Sequence, residues 1–408
     1  MNKTADGQTL VQINRPSQRC PASWHERAAN GPMVDKFFAL GALFGVVGTL
    51  GYGLYLWLVF NNLLPLVGSY PELRRVHALV QIFLFFGLFV LGFVSQAGGK
   101  MLGADLRFAK IPLVLLPVYV LGGIAMLFGQ FWGACIVSAS FSCYAIRICH
   151  VCIGGCEHPL QAVLTVLGLS ILAISPFLSL ENPTSALIVM WGGYGTLLFA
   201  ASGQFIDSFL GGSTLAGRAG VLFLVLHVIG VLLLVFGSAS KLKYIAVAAL
   251  AVLLVYLFAT SFHKWVSSFC MNPFGFAVVS GYLWATAAWA VLLVGRHASF
   301  DLTVHILATG WAATLILAIS SQVIAFLTGR KYLLPRNLWW TLLAVWQLVP
   351  LGRGAFHLFG IPSWFSLVVA ASSTAVMMCW ATSICRAEWT MLRLQSVLQK
   401  GEALKSCG

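Results

Sequence analysis

Charge is scarce in this sequence. Only 9% of its 408 residues are charged, against about 25% in an ordinary soluble domain. So few charges cannot cover a water-facing surface of this size, which excludes a soluble enzyme or binding module. Acidic groups are scarcest, with 11 Asp and Glu against 24 Lys and Arg. Only Asp207 and Asp301 fall at the ends of long apolar runs. Proton and ion pumps usually need carboxylates at mid-depth, so their absence argues against a classical secondary transporter. No pair of broken helices stands out in corresponding halves either. A phosphate-binding loop, a nucleophile–base pair, a soluble domain, a linker and a clear internal repeat are also missing. Apolar residues do not alternate with polar ones, which excludes a β-barrel. The 10 cysteines suggest no disulfide framework, since Cys135, Cys143, Cys270 and Cys379 sit inside apolar runs, where a lone Cys behaves as a small hydrophobe. No cleavable signal peptide is expected, because the first apolar run is too long for one.

Apolar side chains, by contrast, make up 60% of the chain. They recur in runs of about 20, each able to cross a roughly 30 Å hydrocarbon core as a helix. The expected fold is all-α, a polytopic membrane bundle of about twelve transmembrane helices. The spans are expected at 37–58, 76–98, 111–128, 131–148, 160–180, 185–205, 219–237, 244–262, 274–295, 301–327, 338–351 and 362–385. Pro350 ends the eleventh, or that helix continues broken to Phe359. Residues 1–33 read as a polar N-terminal tail, 34–390 as the bundle and 391–408 as a short C-terminal tail. Short connections make sequential helices antiparallel neighbours. Gly41 and Gly45, one turn apart, suit close helix packing.

The net charge of +13 does not point to nucleic acid, because the basic residues sit in the short connections. They read as topology signals, and the partner they imply is the lipid bilayer. With the N-terminus inside, 18 of the 24 basic residues lie on the inner side. The outer six are Arg74, Arg75, Lys241, Lys243, Arg296 and Arg353. Basic residues concentrate on the cytoplasmic side of membrane proteins, so both termini are expected in the cytoplasm.

This orientation puts His77 near the outer end of helix 2 and His305 in the outer half of helix 10. His297 and His357 fall in outer connections, and His227 lies near the middle of helix 7. Imidazole is costly in hydrocarbon without a partner and is a common metal ligand. Two at similar depth on different helices suit axial ligation of one haem; the alternative is a hydrogen bond from each to a neighbouring helix. A second cluster, Cys149, His150, Cys152, Cys156 and His158, follows helix 4 and has the softness to hold a metal. Its spacing is not that of a zinc finger. Nor is it a c-type haem attachment, since Glu157 separates Cys156 from His158. Free thiols are the alternative there.

At its His-bearing helices the chain resembles the NnrS family. Helix 2 carries His77-Ala-Leu-Val-Gln-Ile-Phe, then Gly92-Phe93, Ala97 and Gly103. This is similar to the family's His-Ala-His-Glu-Met-Leu-Phe-Gly, Gly-Phe and Trp-Thr-Gly. Helix 10 carries His305-Ile-Leu-Ala-Thr-Gly310, Val323 and Leu327-Thr328-Gly329-Arg330, similar to its His-Ala-Leu, Gly, Arg-Val and His-Thr-Gly-Arg block. Gly281-Tyr282-Leu-Trp284 and Phe37-Phe38 match two further segments, in order. The likeness extends over most of the chain.

The resemblance implies a bacterial inner-membrane protein that contains haem and copper and acts in nitric oxide response, nitrosative stress and denitrification. It leaves the reaction open, a haem-dependent oxidoreductase being one form. It makes His77 and His305 the expected haem ligands, with His227, His297 and His357 for a second metal. The chain departs from the pattern at Leu79, Val80, Gln204, Val279, Gln322 and Leu327, where the family has His, Glu, Arg, His, Arg and His. These departures remove imidazoles that copper would use, so b-type haem is the main expectation and copper the lesser one. Gln81, Gln96, Gln204 and Gln322 are expected to line the same interior. Partners would be respiratory or denitrification components. The other readings are a small-solute transporter or channel, and an assembly factor for a respiratory complex.

Overall fold

The computed structural model describes residues 36–104, 106, 111–180, 182–237, 242–295, 299–327, 333–359 and 363–406. All regular structure among them is helical. The chain is an all-α polytopic bundle, and each expected span meets a helix. Among the described residues ten helices are long and apolar enough to cross a membrane: α1 (Lys36–Val59), α2 (Tyr70–Leu102), α4 (Phe131–Ile153), α5 (Pro159–Phe177), α6 (Thr184–Leu210), α7 (Gly217–Phe236), α8 (Leu242–Ala259), α9 (Pro273–Val294), α10 (Phe300–Ala325) and the apolar part of α13 (Ser363–Ser406). The remaining two are the shorter α3 (Ile111–Leu127) and a broken span made of α11 (Arg336–Trp346) and α12 (Leu348–Phe359). The expected N-terminal tail, 1–33, lies outside the described residues.

Local chemistry accounts for the ends. Ser69 caps α2 by accepting from the Glu72 N–H at 3.3 Å, and Pro71 occupies the first turn, where no donor is needed. Asn272 caps α9 in the same way at 2.6 Å, ahead of Pro273. Gly103 ends α2 with φ +61°, a left-handed conformation open to glycine. Pro350 has no N–H for the Trp346 carbonyl one turn back, and the break between α11 and α12 falls at Gln347. The broken continuation to Phe359 is therefore the form this span takes.

Four boundaries differ from expectation by five residues or more. α4 runs to Ile153 and α6 to Leu210, so Cys149, His150 and Cys152 lie within α4 rather than after it. α2 starts at Tyr70 rather than 76, because Glu72, Arg74 and Arg75 are accommodated in its first turns as ion pairs. α13 runs on to Ser406, so most of the expected C-terminal tail is helix.

Burial orders the bundle. In α6, 94% of the apolar centre is buried, against 78% in α10, 72% in α2 and 33% in α4, α7 and α8. The first three therefore form the interior. The outer helices present side chains such as Ile146, Phe236 and Phe258. An apolar outer surface of this kind is what a bilayer solvates. Sequential pairs α3–α4, α4–α5 and α7–α8 pack together, and the later half of α2 touches that of α10. A Cβ on Gly41 would come within 2.8 Å of Phe89, and one on Gly45 within 2.7 Å of Met377. These two glycines let α1 close against α2 and α13.

Candidate functional site: a cavity between the interior helices

A cavity of about 540 Å³ opens among α1, α2, α6, α10, α12 and α13. It owes its shape to an unusual local geometry. Among the described residues four helices carry π-helical stretches, Val47–Leu54 in α1, Val80–Phe86 in α2, Ile188–Gly195 in α6 and Ile306–Ala313 in α10. Every one of them contributes to the wall, through Thr49, Gln81, Met190 and Thr309 among others. A π turn loosens the usual i→i−4 ladder and frees carbonyls for side-chain donors. Such bonds occur in all four stretches: His77 to Gly48, Tyr194 to Ile82, Thr196 to Gly192, and Trp346 to Thr309. Hydropathy carries no signal for a π turn, so the sequence could not have disclosed these stretches.

His77 and His305 both line this cavity. Nδ1 of His77 lies 3.1 Å from the Gly48 carbonyl, and Nδ1 of His305 lies 2.7 Å from the Asp301 carbonyl. A carbonyl can only accept, so each Nδ1 carries the proton. Each Nε2 is then left with its lone pair. Among the described residues no hydrogen bond to either Nε2 occurs. This arrangement, with one nitrogen anchored on backbone and the other free, is the usual one for a metal-binding imidazole.

Beside them sits a charge cluster that the sequence did not announce. The two oxygens of Asp301 accept from Arg74 and Arg353, each at 2.8 Å. The same carboxylate lies 3.4 Å from His305 and 3.7 Å from His357. Arg353 stacks over the Trp57 ring, 5.2 Å from its centroid. One acidic residue thus ties α2, α10 and α12 together. Arg75 is engaged elsewhere, by Glu72 and the carbonyls of Met126 and Leu127.

The other expected site residues scatter. His357 lines the cavity. His227 does not: it is fully buried, stacks on Phe223 at 5.6 Å, and meets the Thr196 hydroxyl at 2.7 Å. The Thr196 hydroxyl donates to Gly192, so the His227 Nε2–H donates to Thr196. His297 lies outside the described residues, as does the Thr328-Gly329-Arg330 motif. Of the four glutamines, Gln81 lines the cavity, whereas Gln204 donates to the Lys100 carbonyl at the far end of α2.

Cys149, Cys152, Cys156 and His158 lie near that far end too. The His158 N–H bonds the Leu102 carbonyl, 3.1 Å away. At a helical rise of 1.5 Å per residue this is some 35–40 Å from His77 along α2. None of the three thiols is in a disulfide, and Cys152 and Cys156 hydrogen-bond each other. Among the described residues no group of three or more His, Cys, Asp or Glu side chains is arranged to hold a metal ion.

No family model matches the chain, and no curated protein is similar enough to count as a relative.

Proposed function

We propose that the chain is a haem-binding membrane protein of the NnrS type, which holds a b-type haem between His77 and His305. The observation that carries this reading is the pair of cavity-facing imidazoles, each with Nδ1 tied to a carbonyl and Nε2 free. The residues present fit such a group in a second respect. The walls beside the histidines, with Ile82, Phe85, Phe86, Met190 and Ala308, are apolar, as a flat macrocycle requires. When bound, haem would supply one-electron chemistry.

The protein's own contribution is positional. It fixes the tautomer and direction of both rings, excludes water from the apolar part of the cavity, and sets the local field through Arg74, Arg353 and Asp301. With both termini in the cytoplasm of a bacterial inner membrane, the site falls in the outer half of the bilayer. There it serves nitric oxide response or membrane redox chemistry, in contact with respiratory or denitrification components. Of the residues expected to hold a second metal, His357 lines the cavity, so it would be the candidate ligand for a copper ion.

Optical spectroscopy of the purified protein tests the proposal. A Soret band is expected in wild type, weakened or shifted in His77→Ala and His305→Ala. A wild type that gains no band even after haem is added would end it.

A second reading, a carrier for a small solute, draws on the same cavity and on the break at Gln347 between α11 and α12. Uptake of a solute into proteoliposomes by chromophore-free protein would favour it.

A further inference from the structure

The cavity is asymmetric in charge. Asp301 is the one carboxylate among its described lining residues, set against Arg74, Arg75 and Arg353. Arg75 places four hydrogen bonds on Glu72 and two carbonyls. Arg74 and Arg353 each spend one terminal nitrogen on Asp301, while a guanidinium carries five N–H donors. The Arg353 Nε is buried with no hydrogen-bond partner among the described residues. Such an orphan costs stability unless something else satisfies it. Arg74 is half exposed, so water can meet its spare donors, but the buried Arg353 Nε has no such recourse. That orphan donor, and two cations sharing one anion beside an apolar cavity, call for a further anionic group.

We infer that Arg74 and Arg353 receive the carboxylates of the cavity's ligand, which is therefore an amphipathic anion with an apolar body and acidic substituents. Asp301 acts as the clip that holds both guanidinium groups at the edge. Guanidinium suits this role because its planar donors pair with carboxylates in charge-assisted hydrogen bonds. This inference rests on the haem reading, where the acidic substituents are the two propionates.

The test titrates the apo-protein in detergent with ferric haem b and, separately, with its dimethyl ester, reading binding at the Soret band. Esterification removes the charges and leaves ring and iron intact. Wild type should bind the free acid about tenfold or more tightly than the ester. The double variant Arg74→Gln/Arg353→Gln should lose that preference and bind the ester as wild type does. Equal affinity of wild type for acid and ester would overturn the inference and leave the histidine site standing, as would a preference that survives in the folded double variant. Binding of neither compound overturns both readings. Should the double variant fail to fold, the comparison of acid with ester on wild type decides the matter alone.

Discussion

His77 on α2 donates its Nδ1–H to the Gly48 carbonyl on α1, 3.1 Å away. Both partners border or belong to π-helical stretches, where the loosened ladder makes such a carbonyl available. Gly48 also allows a close approach, since a Cβ there would stand 2.5 Å from Nε2 of Gln81. The glycine, the glutamine and the histidine form one unit at the cavity wall.

Gly48→Ala should therefore push Gln81 off its 3.2 Å hydrogen bond to Thr49. The amide is a flexible tip, so the cost should stay near 1 kcal/mol. Gly133→Ala should be worse, about 2–3 kcal/mol, because its Cβ would meet the Gly122 carbonyl at 2.5 Å, a backbone atom that cannot swing aside. Thermal unfolding in detergent compares the two, and an equal effect would refute the argument.

His227→Ala separates a structural histidine from a ligand. The ring lies in an aromatic cluster with Phe223, Trp191 and Phe199. Its loss should cost about 2–4 kcal/mol by cavity formation. The Soret band of folded protein should not change. A variant that folds but loses the band would make His227 a ligand after all.

Asp301→Asn leaves Arg74 and Arg353 facing each other without their shared anion. Arg74 is half exposed, with 53% of its side chain accessible. Solvent therefore screens much of the repulsion, and about 1–2 kcal/mol of destabilisation is expected. Added salt should recover part of the lost melting temperature by screening the two cations. A loss indifferent to salt would mean that packing, not charge, had been disturbed.

Orientation can be read from Cys149, which is exposed near the end of α4. In a variant retaining that thiol alone, a membrane-impermeant maleimide should label inverted vesicles and spare right-side-out ones. The opposite pattern would reverse the orientation inferred from the basic residues.

Much of the architecture was legible in the sequence because its causes are local. Apolar runs of bilayer length mark the helices, caps such as Asn272 with Pro273 mark starts, and Pro350 marks the break at Gln347. Local reasoning failed at α2, where Glu72, Arg74 and Arg75 looked like a loop. Their partners include Asp301, which lies 227 residues away from Arg74 in sequence.

What the sequence by itself determined is an all-α membrane bundle, with His77 and His305 near the same ends of their helices. Only the tertiary structure decided that these two share a cavity while His227 does not. It also revealed Asp301 joining Arg74, Arg353 and His305, and the π turns that shape the wall. The physical reason is that hydropathy and capping are properties of neighbours along the chain. A cavity is a property of surfaces brought together from distant parts of it.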